Sequence, residues 1–359
     1  ADGTPDLDLY AGHAVALTGH CHPHVVAAEQ RQAAELFFYS NAVHCPTRIR
    51  ASELLLAEAP AGSRVFYCCS GSEANENAMK IARKVTGRRK IVSFERSFHG
   101  RTVATLSASG LPKYQATAGP VLLGDHVHVP FGDVDALTAA VDGDTAGVLC
   151  ETIQSLGGLY MATPEYYRAM AEITRAAGAL LFYDEVQAGL GRTGTFYFGA
   201  GVGVEPDLVT LAKGIASGLP VGAVVVGPRA VPHIHSGDQG STFGGGPVPM
   251  AAMQATLEVI AREHLAENAA RVGAQLVAAL GKLPGVREVR GKGLLLGIEF
   301  DGPCAPVQKA LLARHILSGN SSHPNVMRLL PPLVLSGEQA DQFVRALAEV
   351  LAEGAGGPA

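Results

Sequence analysis

From about residue 50 onward, short runs of apolar and β-branched residues alternate with stretches of helical period. Residues 64–69 (RVFYCC), 90–94, 146–151 (AGVLCE), 179–184 (ALLFYD), 208–212 (LVTLA) and 221–226 read as strands. Residues 72–85 (SEANENAMKIARKV) and 164–177 (PEYYRAMAEITRAA) read as helices, the second opening with a proline, whose missing N–H is harmless there. The strand runs are apolar at consecutive positions rather than at every second one. Such strands are buried on both faces, as in a mainly parallel sheet covered by helices on both sides. The fold class is therefore α/β.

The texture changes near residue 240, where a Gly/Pro-rich stretch (GSTFGGGPVP) leads into a helical pattern from residue 250 to about 283. A strand at 293–300 (GLLLGIEF) and a closing helix from 337 to about 352 follow. This places a large α/β domain at 36–238 and a smaller one at 1–35 together with 239–359. The length of 359 residues accommodates both. With 47% hydrophobic and 17% charged residues and a mean hydropathy of +0.18, the chain can bury a large core, which excludes global disorder. A net charge of −5 and a pI near 6.2 argue against a nucleic-acid partner. The six cysteines form no CxxC pair, which points away from a disulfide framework or zinc ribbon. The opening ADGTPDLDLYAG does not read as a signal peptide, and the longest uncharged stretch, 239–257, holds too many glycines and prolines to span a membrane. A cytoplasmic location is expected. The sequence opens with Ala1 rather than methionine, so an N-terminal segment is expected to be missing.

Three places carry chemistry. In CCSGSEANENAMK a strand ends at Cys69, Ser70-Gly71-Ser72 turns the chain and a helix begins. Free N–H groups and the positive helix end converge there, which is a phosphate cup; the plainer reading is a helix cap made by Ser72. The strict P-loop and the complete dinucleotide fingerprint are absent, which argues against nucleotides. Asp184 lies where a buried strand runs out, the position at which open α/β sheets bind ligands, and can pair with a protonated ring nitrogen. Lys213 ends another apolar strand, where desolvation would lower its pKa and free the amine for Schiff-base chemistry. Cup, acid and buried lysine together are the parts that hold pyridoxal phosphate. His20, His22 and His24 alternate in GHCHPH, but no acid or cysteine cluster at ligand spacing makes them a metal site.

The motifs SGSEAN, FHGRT, YDEVQAGLGRTG, LAKGIASGLPVGAVV and GSTFGG resemble the class III (subgroup II) pyridoxal-phosphate aminotransferases of fold type I. GHCHPHVV and MRLLPPLVLS extend the likeness over nearly the whole chain, and FHGRT and RLLPPL are similar to the acetylornithine/succinylornithine branch. The resemblance implies a large domain with a mainly parallel seven-stranded sheet and a smaller α+β domain. It implies that Lys213 binds the cofactor and shuttles the proton, and that Asp184 keeps the pyridine nitrogen protonated. Phe98 and Val186 would sandwich the ring, Gln187 approach its phenolic oxygen, and Gly71 and Ser72 hold the phosphate. Thr242 would reach the phosphate of a neighbouring subunit, making a homodimer the active unit. Arg101 and Arg328 would grip substrate carboxylates, and His99 would buttress its loop.

The implied reaction moves the terminal amino group of an N-acyl-ornithine, acetyl or succinyl, to 2-oxoglutarate, giving the acyl-glutamate semialdehyde and glutamate, in arginine biosynthesis. A 4-aminobutyrate or other ω-amino-acid transaminase is the alternative within the family. A nucleotide-dependent oxidoreductase is disfavoured by the missing fingerprint, and a non-catalytic binding module by the presence of both Lys213 and Asp184. The chain departs from the ornithine branch where Leu156 stands for a glutamate and Gly246 for an asparagine, and much of that branch's N-terminal arm is expected to be missing.

Overall fold

The computed structural model describes residues 3–40 and 42–356, so the first two and last three residues of the expected small domain lie outside it. A two-residue strand, Leu7–Asp8 (β1), opens the described chain. Seven strands then form one sheet: Arg64–Cys68 (β2), Lys90–Phe94 (β3), His126–Val129 (β4), Thr145–Glu151 (β5), Leu180–Asp184 (β6), Leu208–Leu211 (β7) and Gly222–Val226 (β8). Their order is β2-β8-β7-β6-β5-β3-β4. Strands β4, β3, β5, β6 and β7 run parallel, and β8 is antiparallel to both of its neighbours. The strands β5 to β8 are buried along their whole length, as their unbroken apolar runs require.

The helix Gly71–Thr86 lies on one face of this sheet and determines where the site forms. Ser70 caps it, its side chain accepting from the Glu73 N–H at 3.2 Å, and Gly87 ends it with a left-handed φ of 70°. Ser72 is therefore not the cap, which lies two residues earlier in the chain than the sequence pattern indicates. Ala74, Ala78, Met79, Ile81 and Ala82 make a buried stripe at helical spacing. Burial of Met79 and Ile81 alone contributes roughly 3–6 kcal/mol. Three small residues let the backbone lie close to the sheet.

A second sheet, β12-β13-β10-β9, is antiparallel throughout and comprises Val286–Lys292 (β9), Leu295–Phe300 (β10), Gly319–Asn320 (β12) and Val326–Leu329 (β13). Ile316–Leu317 (β11) pairs in parallel with β1 and ties the start of the chain to this region. The expected single helix from 250 to 283 is two helices, Pro247–Arg262 and Leu265–Leu280, broken at His264, which takes a left-handed φ of 52°. The first is buried on most of its surface and the second on one stripe, so the two serve different packing surfaces. The three histidines of GHCHPH meet three different carboxylates: His20 meets Asp8 at 2.6 Å, His22 meets Glu263 at 3.3 Å and His24 meets Glu258 at 2.7 Å. His22 and His24 fasten the N-terminal segment to the region of the Pro247–Arg262 helix, whereas His20 closes a contact within the segment. Among the described residues, no helix is long and apolar enough to cross a membrane.

The sheet approaches the cap of the Gly71–Thr86 helix most closely at Gly222. A Cβ there would lie 2.3 Å from the Ser70 carbonyl oxygen and 2.7 Å from Cys68 Sγ. Gly222→Ala should lower stability by about 1–3 kcal/mol, read as a lower melting temperature, because backbone rather than a flexible side chain must yield.

Candidate active site

Three strands end in register at one edge of the large sheet: Glu151 of β5 pairs with Asp184 of β6, which pairs with Thr210 of β7. Asp184 is buried and its carboxylate is well supplied with donors. Oδ2 accepts from Asn75 Nδ2 at 2.8 Å and meets His99 Nδ1 at 2.8 Å, while Oδ1 accepts from the Val186 N–H at 3.1 Å. Asn75 is held in turn by Thr210, whose hydroxyl donates to Asn75 Oδ1 at 2.7 Å, and it also donates to the His99 carbonyl at 2.8 Å. Three of the roughly four acceptor positions of a carboxylate are occupied, which leaves one for a cationic donor.

Lys213 follows three residues after Thr210, on a turn with a left-handed φ of 48°. Its Nζ makes no hydrogen bond or ion pair among the described residues. Burial holds its pKa below the usual lysine range, and the charge of Arg328 works in the same direction, against the opposing pull of Asp184 and Glu151. That is the condition of a nucleophilic amine. Glu151 accepts from the N–H groups of Phe98 at 2.9 Å and Ser155 at 3.1 Å. Burial and the neighbouring Asp184 charge push its carboxyl up to about 8.

A cavity of about 320 Å3 brings these groups together. Asp184 and Lys213 line it, with Phe98, Val186 and Gln187 on its walls and Gly71 and Ser72 at the helix end. The N–H groups of Gly71 and Ser72 lie in the first turn, where no intrahelical acceptor exists, and the helix dipole adds positive potential. Gly100, with a φ of 138°, lets the loop lie against Ser72; a Cβ there would come within 2.2 Å of Ser72 Oγ. An acid for a ring nitrogen, an unpartnered amine and an anion cup within one cavity fit pyridoxal phosphate.

The remaining expected residues lie outside this lining. Arg101 is exposed, its N–H donating to Ser72 Oγ at 3.2 Å and its guanidinium stacked 5.2 Å from the Tyr114 ring. Thr242 is exposed on the surface beside Phe243. Arg328 is buried on β13 and donates to Ser155 Oγ at 3.0 Å, to the Tyr10 hydroxyl at 2.9 Å and to the Asn320 carbonyl. No carboxylate pairs with it among the described residues, in keeping with Leu156 at the position of the expected glutamate. Sequence reasoning missed Asn75, Glu151, Ser155 and Tyr10, and gave His99 only a buttressing part. Asn75 was visible as an amide inside an otherwise apolar helix stripe, and Glu151 as a second acid ending an apolar strand.

The family described as "Aminotransferase class-III" matches residues 1–351. The chain is a class III aminotransferase. It is 41% identical to the acetylornithine aminotransferase of Methanothermobacter thermautotrophicus, over 98% of this chain and 90% of that one. It is 45% identical to the acetylornithine aminotransferase of Streptomyces coelicolor, over 99% of this chain and 89% of that one. The crystal structure of the ornithine aminotransferase from Toxoplasma gondii superposes with a TM-score of 0.92 at 32% identity, covering 98% of this chain and 87% of that one. A second structure of the Toxoplasma gondii protein has partial occupancy of PLP at its active site.

The carboxyl of Glu151 gives this aminotransferase a pH signature. Its folded value of about 8 exceeds the ordinary 4.5, so its contribution to stability is fully present below 4.5 and is lost as the pH rises through about 8. Glu185, pushed up to about 7 by burial, has the same sign. Glu151→Gln should flatten part of the fall in melting temperature between pH 5 and 8. A slope identical to wild type would mean that Glu151 does not titrate in this range.

Proposed function

We propose that this class III aminotransferase transfers the terminal amino group of an N-acyl-ornithine to 2-oxoglutarate, yielding N-acyl-glutamate semialdehyde and glutamate, a step of arginine biosynthesis. The observation that carries the reading is the 40–45% identity to acetylornithine aminotransferases over nearly the whole chain. The buried Arg328, with no acidic partner among the described residues, supports a site built for carboxylates. Bound pyridoxal phosphate supplies the electron sink that stabilises negative charge at the reacting carbon.

The chain's own residues do the rest. Gly71 and Ser72 would hold the phosphate through backbone N–H groups, Phe98 and Val186 would flank the ring, and Gln187 would lie toward its phenolic oxygen. Asp184, fixed by Asn75 and His99, holds a proton on the ring nitrogen through its free acceptor position. Lys213 Nζ would be the amine that holds the cofactor and the group that moves the proton at the reacting carbon. Arg328 takes the α-carboxylate of glutamate and Arg101 its distal carboxylate; for the acyl-ornithine, whose reacting amine is at the far end, Arg101 takes the α-carboxylate. Thr242 reaches the cofactor phosphate of a second copy. An exposed apolar patch beside it supports the homodimer: Phe37 is 72% and Phe243 66% exposed, and the Phe38 and Phe243 rings lie 5.2 Å apart. A cytoplasmic location belongs to the same proposal.

Lys213→Ala should abolish turnover and the absorbance band expected at roughly 410–430 nm for a lysine-bound cofactor, with the fold unchanged by circular dichroism. Wild-type rates in that variant would overturn the assignment. Substrate choice is tested by kcat/KM for ornithine, N-acetylornithine and N-succinylornithine. With Arg328 uncompensated, the site keeps a net positive potential that disfavours the extra α-ammonium charge of ornithine, so both acylated donors should exceed ornithine by about tenfold or more, the effect of roughly 1.4 kcal/mol. Leu156→Glu should narrow the gap. Ornithine as the preferred donor of the wild type would refute this reading of Leu156.

A further inference from the structure

Arg328 is oriented without a counter-charge, and the way this is achieved is specific. Of its five N–H donors, three are engaged, by Asn320, Ser155 and Tyr10. One N–H remains on each terminal nitrogen, the complement that a carboxylate takes in bidentate form. The Tyr10 hydroxyl has one hydrogen and two lone pairs. It accepts from Arg328 Nη2, so its hydrogen is left for His13 Nδ1, 2.6 Å away. The neutral ring with its proton on Nε2 presents Nδ1 as the acceptor of that hydrogen. Partial burial, then the charges of Arg328 and Lys213, hold His13 below its ordinary value and so favour the neutral ring over the imidazolium.

The backbone carries strain to place His13 there. Ala11, Gly12, His13 and Ala14 all have left-handed φ, of 49°, 55°, 69° and 66°. For a residue with a Cβ this costs about 1–2 kcal/mol. Asp8 stabilises the turn: its Oδ1 accepts from the N–H groups of Tyr10 at 2.7 Å and Ala11 at 2.8 Å. His20 fixes Asp8 Oδ2 at 2.6 Å. A run of strained residues beside a site is over-determined by its surroundings, and here it delivers one imidazole edge to one hydroxyl.

We infer that Tyr10 and His13 form an uncharged relay that positions Arg328 for a substrate carboxylate, in place of an acidic side chain that would neutralise it. The inference rests on the proposed role of Arg328 as a carboxylate anchor. Both are positioning residues, since they act through the guanidinium. The relay holds one terminal nitrogen in place while leaving the full positive charge available to glutamate and 2-oxoglutarate.

The test is steady-state kinetics with glutamate and 2-oxoglutarate on Tyr10→Phe, His13→Asn, His13→Gly and Arg328→Ala. Tyr10→Phe keeps the ring and removes the hydroxyl; it should raise KM for both dicarboxylates about tenfold, the effect of one lost hydrogen bond to a charged group, with kcat changed less than about twofold. Asparagine and glycine both accept the left-handed backbone, but only asparagine offers an acceptor in the position of Nδ1. His13→Asn should therefore keep the wild-type KM and His13→Gly should match Tyr10→Phe. Equal KM values for the Asn and Gly variants would overturn the relay. So would an unchanged KM in Tyr10→Phe when Arg328→Ala raises it. If Arg328→Ala itself leaves KM unchanged, the anchor reading fails first and the relay with it.

Discussion

The register of Glu151, Asp184 and Thr210 across three strand ends is the constraint on which the site depends. It puts two carboxyl groups side by side in a buried place, where two negative charges cannot be held equally. The chain resolves the conflict by unequal provision. Asp184 receives Asn75, His99 and the Val186 N–H, whereas Glu151 receives two backbone N–H groups and is pushed up to about 8 by burial and by Asp184. The placement of surrounding elements follows. The Gly71–Thr86 helix must bring Asn75, one turn in, against the end of β6, and the loop after β3 must carry His99 to the same oxygen. Once the helix is fixed by that contact, its N-terminus necessarily opens into the same cavity.

The parts of this arrangement legible in the sequence were those with a local signature. Strands buried on both faces declare themselves as unbroken apolar runs, and the ends of β5 to β8 fell within a residue or two of the pattern. Strand β4 reads HVHV and β9 reads VREVRGK, and neither is continuously apolar, because one lies at the sheet edge and the other on a half-exposed face. They were not anticipated. Asp184 and Lys213 were legible because a charged residue that ends a buried run must be explained. Asn75 and His99 act across separations of 109 and 85 residues, and no local pattern reports such a bond.

The helix break at His264 was missed for a related reason. Both segments keep helical period, so periodicity alone joins them, and only the change in buried surface separates them. The same limit applies to Thr242. Its sequence context is distinctive, but in a single chain it is an exposed residue beside an exposed Phe243, and its proposed chemistry depends on a second copy.

The two ends of the site rest on different supports. The cofactor end is built by the large sheet and one helix, where parallel pairing and full burial leave little freedom. The carboxylate end is assembled from three segments distant in sequence: Arg328 on β13, Ser155 after β5, and the Tyr10–His13 turn after β1. These are joined by few but specific links, among them the Leu330 N–H donating to the Leu9 carbonyl at 2.8 Å and the Leu333 N–H to the Leu17 carbonyl at 2.8 Å. Among the described residues, Tyr10 and His13 make no hydrogen bond to Asp184, Asn75 or His99, so substitutions there act first on Arg328. Ser155 links the two ends, its N–H donating to Glu151 at 3.1 Å and its hydroxyl accepting from Arg328 at 3.0 Å. Chemistry and substrate choice thereby rest on different segments but stay coupled. The row of strand ends fixes the reaction, the contacts of one buried guanidinium set which amino donor enters it, and the charge of that guanidinium acts on the Lys213 amine.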